Sequence, residues 1–154
     1  DEEAVLCAIK EGKVKKYVSD FANSTTAGKE GCIVIPHLGA STEESEDNCA
    51  QMAVREVMDY LENGNIHNSV NYPNCDMGIC STAGRVAVLH KNVKGLIGKY
   101  TAVMGNNNIN ISDMTNKSRG DYAYSLLDID SPVTDAAVEQ LKGIEGVLKV
   151  RVIK

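Results

Sequence analysis

Hydrophobic positions change their period several times along the chain, and each change marks an element. Val5, Leu6 and Ile9 share one helical face behind the acidic start Asp1-Glu2-Glu3, and Gly12 supplies a stop. This pattern predicts an amphipathic helix over 1–13, with negative charge where the helix dipole favours it. Residues 16–21 alternate as a short strand does, and the small polar residues 22–31 read as a loop. Cys32-Ile33-Val34-Ile35, closed by Pro36, is a continuous apolar run that predicts a buried parallel strand. Ser41 and Glu44 then have capping-box spacing. Behind them the rows Cys49, Ala53, Val57, Leu61 and Ala50, Val54, Met58 predict a helix to about Glu62, with a broad buried face and Gly64 as its stop.

Residues 63–84, rich in Asn, Gly and Pro, read as a connection, and the division adopted is 1–71, a linker at 72–84, and 85–154. The second half has a different rhythm. A short apolar strand, Arg85–Leu89, runs into His90, and Asn92 stands where a helix N-cap belongs. The spacing Val93, Leu96, Ile97, Tyr100, Val103, Met104 predicts the helix, which stops at Gly105. Strands over 109–117 and 122–129 flank a turn at Arg119-Gly120-Asp121. A short helix from Pro132 and Thr134 carries Ala137, Val138 and Leu141, and Val147–Ile153 closes the domain as a strand. The sum is βαββαβ, a ferredoxin-like split arrangement, so the chain is α/β in its first part and α+β in its second.

Composition narrows the functions. The chain has 154 residues, room for one ordinary or two small domains, and a net charge of −5 with its cations scattered. That balance, and a closing sheet without a basic aromatic face, argues against nucleic acid as a partner. No apolar run approaches the ~18 residues of a membrane span, and no signal-peptide pattern opens the chain. Five irregularly spaced cysteines read as reduced thiols, hence a cytoplasmic protein. Cys75 and Cys80 lack a second pair at zinc-site spacing, so no metal is expected. An acidic first residue at a helix start reads as a piece of something longer.

Two loops carry candidate chemistry. Between strand and helix, His90, Asn92 and Gly95 gather an imidazole, an amide and a flexible backbone beside free helix N–H groups, a place suited to a small carboxylate. His37 ends the apolar strand just ahead of a helix, the sheet edge at which open α/β folds place ligands and catalysis.

The run His90-Lys91-Asn92-Val93-Lys94-Gly95, a helix and then Asn108-Ile109-Asn110-Ile111 resembles the ACT domain of the D-3-phosphoglycerate dehydrogenase family. Asp113-Met114, Asn116 and Ser118-Arg119-Gly120-Asp121 extend the likeness, while Lys94 replaces the proline common before this glycine. The resemblance implies an L-serine effector held by His90, Asn92, Gly95 and Asn110, with ACT domains pairing edge to edge as a homo-oligomer. His37-Leu38-Gly39-Ala40-Ser41-Thr42 similarly resembles the catalytic-histidine segment of 2-hydroxyacid dehydrogenases, with Asp20-Phe21 upstream. Residues 1–71 are then an incomplete Rossmann-like segment. In such an enzyme His37 would exchange a proton with the substrate hydroxyl, its pKa lying near working pH. Asp20 and His37–Ala40 would lie near the nicotinamide of NAD.

Two departures shape the expectation. The family's histidine-paired glutamate falls on Ser24, and no Gly-x-Gly-x-x-Gly fingerprint exists in the chain. The family's substrate-binding arginine has no counterpart either. Dehydrogenase activity is therefore not expected of this chain alone. The expected role is regulatory, as the C-terminal portion of the enzyme. The alternative is a stand-alone amino-acid-sensing or dimerisation module without catalysis.

Overall fold

The computed structural model describes residues 1–154 and divides into two compact units, Asp1–Gln51 and Met52–Lys154. In the first, α1 (Glu2–Lys10) is capped by Asp1, whose carboxylate accepts the Ala4 N–H at 3.2 Å. Strands β1 (Tyr17–Ser19) and β2 (Cys32–Val34) pair in parallel, Tyr17 opposite Cys32. The parallel pairing follows the sequence expectation, but the burial does not: Ile33, Val34 and Ile35 are 45%, 38% and 41% exposed. An apolar run encodes a strand that prefers cover on both faces, and a two-stranded ribbon supplies no such layer.

The long helix α2 (Glu43–Asn63) also departs from expectation at two points. It starts a residue late for a Ser41–Glu44 box, and Thr42 caps it instead, its Oγ1 accepting the Ser45 N–H at 3.2 Å. Its apolar stripe is not buried. Val54, Val57, Met58 and Leu61 are at least half exposed, because periodicity fixes which residues share a face but not whether another element covers it.

The second unit builds a four-stranded antiparallel sheet from β3 (Gly84–Lys91), β4 (Ile111–Arg119), β5 (Tyr122–Ile129) and β6 (Val147–Val152). The order β4-β5-β3-β6, with α3 (Leu96–Asn106) after β3 and α4 (Asp135–Lys142) after β5, is the ferredoxin-like βαββαβ arrangement expected from the sequence. Side chains alternate between the sheet's faces. Val86, Val88, Leu127 and Ile129 face the helices and pack with Tyr100, Met104, Ala137 and Leu141. Ala87, Tyr124 and Leu126 face the other way.

The stretch expected to be a linker covers that second face. Ile66 and Cys75 form an antiparallel bridge and are buried with Ala87, Tyr124 and Leu126. The Tyr124 hydroxyl donates to the Gly64 carbonyl at 2.7 Å. Asn, Gly and Pro here encode turns, and the few apolar residues between them suffice to dock the segment on a sheet that would otherwise expose one face. Gly64 is required where it stands: its φ is +77° and an added Cβ would meet the Leu126 Cδ2 at 2.9 Å.

Arg85 fastens this layer. Its guanidinium is fully buried and forms a bidentate pair with Asp128, directly opposite it on β5. The remaining N–H groups donate to the carbonyls of Asn63 (3.0 Å), Gly78 (2.6 Å) and Met77 (3.2 Å). Asp128→Ala should therefore destabilise the unit by ~3–5 kcal/mol in chemical denaturation, since it strands a buried cation. An Arg85→Met, Asp128→Leu double variant should recover only part of that loss, because three carbonyls lose their donor along with the charge pair.

Alkaline pH should weaken the same layer. Burial pushes the Cys75 thiol up from an ordinary 9.0 to about 11, and raises the Tyr124 hydroxyl as well. Both groups are raised in the fold, so their contribution is intact below the unfolded values and is lost as pH climbs through the folded ones. The thermal midpoint should hold to pH 9.0 and fall toward about 11, with a shallower decline in Cys75→Ala.

Candidate functional site

The loop after β3 is built by its backbone. Pairing with β6 shifts register between Leu89 and His90, and Lys91 donates to the Gly146 carbonyl at 2.8 Å. Asn92 was expected to cap α3 and does not. Its backbone N–H reaches the Asp121 carbonyl at 2.8 Å, and its side-chain amide donates to the Gly120 carbonyl at 3.1 Å. Gly95, at φ +79°, is the residue that precedes α3, and no side chain caps the helix. The reason is register: the turn 92–95 delays the helix to Leu96, three residues beyond the start that the spacing suggested. The first-turn N–H groups of α3 consequently lack helical partners, which leaves an anion-favouring end beside Asn92.

His90 lies beneath this loop rather than in it. It is 2% exposed. Its Nδ1 is 2.8 Å from the Lys91 carbonyl, and its Nε2 is 3.0 Å from Ser125 Oγ and 3.1 Å from Asn116 Oδ1. Ser125 Oγ also contacts the Tyr100 hydroxyl at 2.7 Å and donates to Asn116 Oδ1 at 2.7 Å. Burial raises the Tyr100 pKa, which keeps its proton available to this network. Tyr100, Asn116 and Ser125 were not read as site residues. The available signal was Ser125, a lone hydroxyl inside the apolar strand Tyr122–Ile129, since a buried hydroxyl needs a partner.

Asn110 is at the other end of the sheet. Its N–H donates to Asp130 Oδ1 at 3.1 Å and its carbonyl accepts the Asp130 N–H at 3.1 Å, next to the pair Ile111–Ile129. His90 pairs with Ala123. The six residue steps of β5 between these points amount to about 20 Å at a strand's rise. One copy of the chain thus brings His90, Asn92 and Gly95 together and leaves Asn110 apart.

In the first unit, His37 is exposed, sits at φ +55°, and stacks edge-on against Phe21 with ring centroids 4.6 Å apart. Asp20, Leu38, Gly39 and Ala40 are exposed, and no hydrogen bond joins Ser24 to His37. A dinucleotide needs a glycine-rich turn leading from strand to helix to cradle its pyrophosphate. The path from β2 to α2 runs through Pro36-His37-Leu38-Gly39-Ala40 and offers none, so these residues do not by themselves fit NAD. No group of three His, Cys, Asp or Glu side chains is placed to hold a metal, and no helix is long and apolar enough to cross a membrane.

No protein-family profile matches the chain. Curated sequences do. D-3-phosphoglycerate dehydrogenase of Haemophilus influenzae is 24% identical over 164 aligned positions, covering 99% of this chain and 40% of that protein. The Escherichia coli K12 enzyme of the same name is 23% identical over 88% of this chain and 33% of its own length. D-3-phosphoglycerate dehydrogenase 1 of Saccharomyces cerevisiae is 31% identical over 64% of this chain and 22% of its own length. Among solved structures, the ACT domain from GTP pyrophosphokinase of Chlorobium tepidum aligns with 45% of this chain and 94% of its own, at 18% identity and a TM-score of 0.40. The chain spans 40% or less of the curated relatives it matches, at their C-terminal ends. By sequence, then, it is a relative of the C-terminal part of the D-3-phosphoglycerate dehydrogenases.

Proposed function

We propose that the chain is the regulatory C-terminal portion of a D-3-phosphoglycerate dehydrogenase, and that two copies together bind L-serine as feedback effector. The complete cytoplasmic enzyme would carry out the NAD-linked oxidation of 3-phosphoglycerate, with His37 as its proton-transfer group once the remainder of its domain is present. One observation carries the shared-site reading: Asn92 and Asn110 lie at opposite ends of the same sheet, too far apart for one small amino acid.

A second copy removes that obstacle. Strand β4 is an edge of the sheet, so one side of its backbone is free to pair. Antiparallel two-fold pairing of β4 with its counterpart sets the Asn110 end of one copy beside the Arg119 end of the other. That end adjoins the turn at Gly120 and Asp121 to which Asn92 is tied. A serine there would set its carboxylate against the first turn of α3 and its amine and hydroxyl against the two asparagines. His90 would act by holding the Lys91 carbonyl, and hence the loop, in place. Regulation requires that serine favour one geometry of the pair over another.

His37, exposed and hydrogen-bonded to no carboxylate, favours a second reading, an amino-acid-sensing or dimerisation module without catalysis. Serine titration combined with mixing separates the site from its context. The native chain should bind saturably by calorimetry, and Asn92→Ala or Asn110→Ala should each weaken binding about tenfold or more, given the worth of hydrogen bonds to a charged ligand. Mixed in equal amounts and allowed to exchange subunits, the two variants should regain about a quarter of the native sites, because roughly half of the pairs are mixed and each of those has one intact combination out of two. A folded dimeric native chain that ignores serine would remove the effector assignment. Failure of the mixture alone would confine the site to one copy.

A further inference from the structure

The first unit holds a cavity of about 970 Å³ between α1 and the loop 24–31. Residues 1–51 contain five lysines and no arginine. Four of them, Lys10, Lys15, Lys16 and Lys29, line this cavity, and their ammonium groups make no hydrogen bond or ion pair within the chain. The fifth, Lys13, is held by Glu11 at 2.7 Å. Glu3 and Glu30 are the acids on the lining, so the walls carry a positive excess in a chain of net charge −5. A scattered surface distribution would leave the cations mixed with the acids that outnumber them, and here four of them line one cavity with two acids.

The cavity has a defined wall. Gly31, at φ +81°, lies so close to α1 that an added Cβ would stand 2.6 Å from the Ile9 Cγ2, which seats the loop directly on the helix. Leu6, Ile9 and Val14 add apolar lining, and Ser24 and Thr25 add hydroxyl-bearing residues. The carbonyls at the end of α1, which would repel an anion, are occupied. Ala8 accepts the Lys13 and Val14 N–H groups at 2.9 and 3.1 Å, and Cys7 accepts Glu11 at 3.0 Å. A cavity lined by four lysines, two hydroxyl-bearing residues and apolar side chains fits a ligand with a compact multiple negative charge on a less polar body.

We propose that this lysine-lined cavity binds a small molecule bearing a di- or triphosphate group, at a site separate from His37 and from the Asn92 loop. Tripolyphosphate is the probe, titrated calorimetrically into the full chain at low ionic strength. One ion per chain should bind, with affinity falling as salt rises. Lys10→Gln, Lys29→Gln, which neutralises both walls, should weaken binding about tenfold or more, each charge-assisted hydrogen bond being worth about that factor. Lys15→Gln, Lys16→Gln serves the same purpose should the first pair lose its circular-dichroism signature. Lys13→Gln should bind as the native chain does. Absence of saturable binding to the folded chain, or an equal loss in Lys13→Gln, would overturn the assignment, the latter by showing diffuse attraction.

Discussion

A guanidinium carries five N–H donors in one plane and cannot shed its charge, so burying it is tolerable only where five acceptors already stand in that plane. Arg85 meets this condition in full. Two donors go to Asp128, two serve the carbonyls of Asn63 and Gly78, and the fifth reaches Met77. Those acceptors come from β5, the end of α2 and the turn before β3. Satisfying one side chain therefore fixes three segments at once, and the cost of leaving any donor unmet makes the arrangement all-or-none. The layer of Ile66 and Cys75 on the second face of the sheet depends on this clamp. So does the close approach of Gly64 to Leu126.

A second buried polar group organises the opposite end of β3. His90, Ser125, Asn116 and Tyr100 satisfy one another under the loop that presents Asn92. The loop's shape follows from below, through the Lys91 carbonyl at His90 Nδ1, and from the side, through the turn at Gly120. One strand thus carries a buried charged pair at its beginning and a buried hydrogen-bonded network near its end. The stretch between them, Val86–Leu89, is apolar on both faces because helices cover one and the 66–77 segment covers the other.

The free edge of β4 and the open stripe of α2 differ in what they invite. An edge strand offers an ordered row of backbone groups with a register, so pairing there brings particular residues together. The stripe Val54, Val57, Met58, Leu61 is exposed apolar surface without such direction. Pairing at that edge would bring Asn92 of one copy to Asn110 of another, and for that reason it figures in the proposed serine site.

The sequence alone determined the elements wherever local chemistry was decisive. Thr134 at the start of α4, the Gly120 turn and the βαββαβ order all follow from spacing, caps and turn glycines. The residues of the two candidate loops, and their likeness to dehydrogenase and ACT segments, were legible for the same reason: they are short and contiguous. Tertiary structure decided what distance and cover decide. It took Asn92 from helix cap to turn clamp, sent His90 below the surface, and placed Asn110 at the far end of the sheet. It also docked residues expected to be a linker and left the α2 stripe open. Periodicity records which side chains share a face, but burial and proximity depend on what else arrives at that face. Contacts between residues tens of positions apart, such as Arg85 with Asp128, leave no local pattern from which to read them.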